Sequence, residues 1–211
     1  NVARRPLAMS AAIVLGCYIV IVLLDSLHFH PKLEDDDSGK AVYSTEIHSV
    51  LDVVLEDLKE NTERSYSAPL ASYAFSKEMI ELDDGSQIRD YPRLKYGGTH
   101  LDNPETEQTA DIIKRIIIGI VVGLLVSLFF VSLIIFYLAH KTKESFKDAL
   151  GKCISNSYEV PWYAIVLTLS VVIIITSVIY NLSLYYHVFG TDKVGQDVLY
   201  QSLKSVRTGV V

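Results

Sequence analysis

Apolar positions along this chain fall in long uninterrupted blocks, separated by strongly polar stretches. No charged residue lies between Ile116 and Leu138 or between Pro161 and Tyr186. Each of these blocks exceeds the roughly 20 apolar residues that cross a hydrocarbon core as a helix. A third block runs from Pro6 to Leu24, preceded by Arg4 and Arg5 and closed by Asp25. Its apolar core is longer than that of a cleavable leader, and no small-x-small site follows in DSLHFHP, so it predicts an anchor. The pattern defines an all-α membrane protein with three transmembrane helices, carried by residues 1–27, 112–138 and 161–186. The chain opens on Asn1, so the true beginning is expected to lie upstream.

The polar stretches carry shorter periodicities. In residues 28–111, Ile47, Val50, Leu51, Val54, Leu55 and Leu58 recur at helical spacing, with Ser44 or Thr45 able to cap and Glu46 in the first turn. Tyr91-Pro92 and Gly97-Gly98 mark turns beyond it. A small, mostly helical extracytoplasmic segment is predicted. In residues 187–211, Val194, Val198, Leu199, Leu203 and Val206 predict a terminal helix lying at the interface. Gly190 and Gly195 permit tight turns before it, Thr191 or Asp192 can cap it, and Lys204 and Arg207 suit its C-terminal end.

Charge sets the expected orientation. Arg4 and Arg5 precede the first span, and Lys141, Lys143, Lys147 and Lys152 stand in the loop 139–160. Short basic segments stay in the cytoplasm, so residues 28–111 and 187–211 are expected outside. Lys114 and Arg115, at the outer end of the second span, run against that count. The net charge of −6 comes mostly from residues 28–111, including EDDD at 34–37, which argues against nucleic acid as a partner.

Candidate chemistry is sparse. The four adjacent carboxylates lack the alternating ligand spacing of a calcium loop, and read as a solvated acidic face. His28 and His30 are an alternate-residue pair with no third ligand in sequence. Cys17 and Cys153 form no metal or disulfide pattern. There is no Gly-rich phosphate loop, no nucleophile elbow and no His-Glu-x-x-His, so no catalytic, cofactor or metal residue is assigned and an enzyme is not expected. Gly119 and Gly123 form a G-x-x-x-G pair in the second span, a spacing that lets helix backbones approach.

One segment is more specific: HVFGTDKVGQDVLYQSLKSVRTGVV, residues 187–211. It resembles the signature of a permease subunit of oligopeptide, dipeptide and nickel ABC importers, in which Gly-Thr-Asp, two residues, Gly-Arg-Asp and a downstream Arg precede the core transport helices. Gly190, Thr191, Asp192, Gly195, Asp197 and Arg207 match that pattern. Gln196 and Gln201 stand where the family usually has Arg, Tyr200 at a usual Ser and Ser205 at a usual Gly. The family has one span before the motif and this chain has three, but an inserted hairpin crosses twice and leaves the motif on the same side. The resemblance implies the N-terminal part of a multi-pass permease in a plasma (bacterial inner) membrane, importing peptides or similar solutes by ATP-driven alternating access. Its implied partners are a second permease subunit, ATPase subunits, an extracytoplasmic solute-binding protein and the lipid bilayer. Val210 and Val211 would then begin a further span. The alternative from the same layout is a membrane-anchored sensor or assembly protein that recognises something through residues 28–111.

Overall fold

The computed structural model describes residues 4–31, 44–81 and 85–210. The acidic run at 34–37 and Val211 lie outside them. The described residues are mostly helical, and three helices are long and apolar enough to cross a membrane: α1 (Pro6–Ser26), α4 (Pro104–Thr142) and α6 (Trp162–Ser183). Between α1 and α4 come β1 (His28–Phe29), β2 (His48–Ser49), α2 (Val50–Val54), α3 (Glu56–Glu60), β3 (Glu78–Glu81) and β4 (Gln87–Asp90). Helix α5 (Phe146–Ile154) joins α4 to α6, and α7 (Val198–Val210) ends the described chain. The residues form two compact units, one of Asn1–Cys17 with Thr106–Leu182 and one of Tyr18–Glu105 with Ser183–Val211.

In the first unit, α4 has 39 residues, about 58 Å at 1.5 Å per residue, well beyond the ~30 Å of a hydrocarbon core. It opens on Pro104, where a missing N–H leaves no helical bond unmade. It closes with the Glu144 N–H donating to Ala139 O at 3.0 Å and Lys143 in the left-handed region at φ 56°. Arg115, which ran against the expected orientation, is matched within its own helix by Asp111 at 2.6 Å, so the cation is locally neutralised. Where α4 meets α6, a Cβ on Gly119 would stand 2.7 Å from Val178 Cα, and one on Gly123 2.8 Å from Ile174 Cα. Hydrogen in place of a methyl is what lets these backbones pack. Helix α5 lays Ala149 and Cys153 against Ile135, Leu138 and Ala139 of α4, with Trp162 and Val166 of α6 alongside.

The second unit corrects the expectation of a mostly helical outer segment. Among the described residues between α1 and α4, only α2 and α3, five residues each, are helical; the other described residues form turns, isolated bridges and two antiparallel pairs, β1–β2 and β3–β4. The single helix expected from the 47–58 periodicity is broken at Leu55 (φ −109°, ψ 24°). Its start lies at Ser49, not Ser44 or Thr45: the Ser49 Oγ accepts from Asp52 N and the Asp52 carboxylate accepts from Ser49 N, a reciprocal capping box. Ser44 instead accepts from the Glu46 N–H in a local turn. Of the apolar positions that suggested the helix, Leu51 is buried while Ile47 and Val54 stay 59 and 64% exposed, and the cap chose where the helix begins. Helix α7 likewise begins later than its apolar spacing suggested, leaving Val194 in the preceding turn and 70% exposed.

Candidate functional site

The residues that carry the resemblance gather in the second unit. Gly190, at φ 75°, would bring a Cβ to 2.2 Å from Ser67 O; Gly195, at φ 79°, would bring one to 1.9 Å from Glu63 O. Both therefore combine a left-handed backbone with a contact that excludes any side chain. Thr191 extends the docking: its N–H donates to Ser67 O at 3.3 Å, and its hydroxyl donates to Ser65 O at 2.8 Å and meets the Ser67 hydroxyl at 3.1 Å. Asp192 closes the turn, one carboxylate oxygen accepting from the Val194 and Gln196 N–H groups, both at 2.9 Å. Its other oxygen accepts from Gln201 Nε2 at 2.6 Å, and Gln201 also donates to Gln196 Oε1 at 3.0 Å. The two glutamines that depart from the motif thus bond to each other and to its aspartate. Burial alone would raise the Asp192 pKa, but these donors hold it below the usual carboxylate range.

Asp197, rather than Thr191 or Asp192, caps α7, its Oδ1 accepting from the Leu199 N–H at 2.7 Å and the Tyr200 N–H at 3.2 Å. Its Oδ2 lies 2.7 Å from His187 Nδ1, and His187 Nε2 lies 3.3 Å from Glu63 Oε1. All three side chains are at most 4% exposed. Desolvation opposes a charged imidazole here, but the Asp197 and Glu63 carboxylates outweigh it and push His187 up to about 9. Glu63 also accepts from the Lys95, Tyr96 and Gly97 N–H groups at 2.7, 2.7 and 3.3 Å. Burial would raise its pKa, yet His187 and these amides bring it below the ordinary value. An imidazolium between two carboxylates, one capping a helix and one gripping a loop, ties three chain segments together.

A second charged cluster involves the same helix one turn on. Lys204 Nζ lies 2.6 Å from Asp25 Oδ1, 2.9 Å from Asp52 Oδ1 and 3.2 Å from Ser49 Oγ, and the Tyr200 hydroxyl donates to Asp52 at 2.8 Å. Partial burial would lower the lysine, but both carboxylates raise it. Asp52 is held far below the carboxylate range, although burial pulls the other way, by Ser49, Lys204 and Tyr200. Lys204, placed by the sequence at a helix terminus to suit its dipole, is here the counter-ion of two aspartates. Arg207 stands apart from the loop, 3.9 Å from Asp25 and 45% exposed. Gly119 and Gly123 belong to the first unit.

Sequence reasoning did not single out Glu63, His187, Asp52 or Tyr200 as functional. Asp25, a lone carboxylate closing an apolar span, was the one available signal, since such a charge usually has a partner. The Glu63 partnership spans 124 residues to His187 and had no local sign.

Chemically, the one hydroxyl beside an amine in these networks is Ser49 at Lys204, and the Asp25 and Asp52 carboxylates keep that lysine charged, as a counter-ion and not a base. The gap beside the His187 network, lined by Leu58, Asn61, Tyr96 and Asp197, measures about 10 Å³, enough for one water at most. Among the described residues no group of His, Cys, Asp and Glu side chains is arranged to hold a metal ion. A larger open cleft of about 650 Å³ lies in the second unit, bordered by Arg64, Ser65, Glu78, Arg93 and Lys95. Arg93 is committed to the Gly98 and Leu101 carbonyls, whereas Arg64 has no ion-pair or hydrogen-bond partner among the described residues. Comparison with protein-family models, with curated proteins and with solved structures finds no match.

Proposed function

We propose that this chain is the N-terminal part of an ABC importer permease subunit for peptides or similar small solutes, seated in a plasma membrane as a multi-pass protein. The observation that carries the reading is the Gly190-Thr191-Asp192 and Gly195-x-Asp197 spacing at the head of an amphipathic helix. Support comes from the work each of those five residues does there: two glycines without room for a Cβ, a threonine and an aspartate closing the turn, and an aspartate capping α7. A loop so constrained keeps its residues at fixed spacing.

On this reading the chain performs no chemistry. Its partners are a second permease, two ATPase subunits and an extracytoplasmic solute-binding protein. The outer cleft, with its unpaired Arg64, is the surface on which that binding protein docks. The same cleft favours the second reading, a membrane-anchored sensor or assembly protein that recognises a ligand there. Energised cells lacking the gene separate the two. Loss of radiolabelled oligopeptide uptake, restored by the intact gene and abolished again by depleting ATP, is the expected result. Uptake equal with and without the gene would overturn the permease reading.

A further inference from the structure

Helix α5 is amphipathic, and its neighbours cover only part of its apolar face. Each residue turns an α-helix by about 100°, so Ala149 and Cys153 share one side, which is the side buried on α4. Phe146, Leu150 and Ile154, four residues apart, form the adjoining stripe and stay 44, 37 and 71% exposed. Lys147 borders that stripe on its outer edge, Asp148 lies about another 100° round, and Lys152 is turned to Glu144, with which it pairs. The other acidic residue of the loop, Glu159, pairs with Arg4 at 3.2 Å. Lys143 and Lys147 have no ion-pair or hydrogen-bond partner among the described residues.

The stripe continues into hollows on either side. Leu150 and Ile154 border an apolar groove of about 340 Å³ whose other walls, Ile135 of α4 and Val166 and Leu167 of α6, belong to the two spans. Phe146 and Lys143 border a second hollow of about 430 Å³ beside Phe136, together with His140 and with Glu144, whose carboxylate is taken by Lys152. The groove itself has no charged wall, but Lys147 borders the helix stripe that enters it and Lys143 stands just before that helix; an apolar slot along two spans beside such lysines is complementary to one kind of molecule, with a hydrocarbon chain and an anionic head.

We infer that α5 is a membrane-surface helix that binds anionic phospholipid of the cytoplasmic leaflet, the acyl chain in the α4–α5–α6 groove and the headgroup phosphate at Lys143 and Lys147. The inference rests on the three helices being membrane spans, and is independent of what the protein transports. A built-in reporter exists, because Trp162, the chain's single tryptophan, stands at the start of α6 and packs against the buried cluster to which Ile135 and Cys153, two walls of the groove, belong.

The full chain is reconstituted in vesicles of mixed phosphatidylglycerol and phosphatidylcholine, with bromine on the acyl chains of one lipid or the other, and Trp162 quenching is read. At equal mole fraction, brominated phosphatidylglycerol is expected to associate about fivefold or more in preference to brominated phosphatidylcholine, taking about fivefold per lysine at an anionic surface. The preference should fall toward one in Lys143→Gln/Lys147→Gln and persist in Lys193→Gln, a control in the other unit, with circular dichroism confirming intact helix content. Equal quenching by both lipids in the unaltered chain would overturn the lipid site while leaving the membrane reading standing. Quenching by neither would also overturn it, and would mean that protein, such as a second copy, covers the groove. Loss of peptide uptake is a separate readout, so failure here does not bear on the transport proposal.

Discussion

The two units solve the same problem, bringing backbones close, in opposite chemical languages. Around Gly119 and Gly123, α4 meets α6 through small and apolar groups, with no ion pair between the helices among the described residues. The second unit also uses glycines, Gly190 and Gly195, but surrounds them with buried carboxylates, an imidazole and a lysine. The difference follows from what each backbone leaves unsatisfied. A long helix pairs its own N–H and C=O groups, so its sides need only shape. Loops without a ladder must find partners for their amides, and Glu63 serves three of them while Asp192 and Asp197 serve two each.

The largest predicted effect tests that contrast directly. Gly195→Ala places a methyl 1.9 Å from a backbone carbonyl oxygen and forces an L side chain to φ 79°, where nothing nearby is a flexible side-chain end. It should destabilise the second unit by about 3 kcal/mol or more. Gly123→Ala meets Ile174 Cα at 2.8 Å within a regular helix, so the two helix backbones must move apart by roughly half an ångström or more, but without the backbone strain of a positive φ. About 1–2 kcal/mol is expected there, in the range of ordinary overpacking. Amide exchange of the solubilised full chain, read separately for second-unit and span segments, checks both. Equal costs would mean that the contrast between the units is wrong.

What sequence revealed and what it hid divides along the same line. Charge-free blocks placed all three long helices because a membrane span is a local property, satisfied within a few turns. The break at Leu55 and the β3–β4 pair were not visible, since they depend on caps and on partners distant in the chain. Within the candidate loop, Gly190 and Gly195 as turn positions were legible, because a left-handed residue leaves a glycine in the sequence. The role of Asp197 as cap was assigned instead to Thr191 or Asp192, which have equal capping chemistry and stand closer to the turn. Glu63 and His187 were silent, because burial of a charged residue is decided by the fold.

Acidity and alkalinity should separate the units next. His187 is raised from its ordinary 6.5 to about 9, so its contribution is complete below pH 6.5 and is lost as pH rises through about 9. Glu63 is lowered from 4.5, so its contribution is present above pH 4.5 and is lost as pH falls below that. The second unit should therefore be most stable between these limits and lose about 1–3 kcal/mol by pH 10. Exchange at Gly119 and its neighbours in the apolar unit should show no such slope. In His187→Gln the alkaline loss should vanish; a slope that persists would place its origin elsewhere.

Arg207 gives the smallest effect on stability, and for that reason separates fold from function. Its guanidinium is 3.9 Å from Asp25 and 45% exposed, while Lys204 already satisfies the same carboxylate at 2.6 Å. Because the arginine end is half exposed, the contact is long and buried Asp25 keeps Lys204, the loss should be about 0–1 kcal/mol, and Arg207→Gln should leave the melting temperature and the second-unit exchange nearly unchanged. Yet it is one of the six residues that match the importer signature, and the other five are each fixed by the loop they build. A residue held by no more than one long ion pair but matched in a transport motif is where the two explanations part. If the signature reflects transport, Arg207→Gln should lower peptide uptake severalfold in a protein that is as stable and as abundant as the unaltered one. If uptake is untouched, the match at Arg207 is fortuitous, and only the five loop residues, whose presence the fold alone explains, are left to support the permease reading.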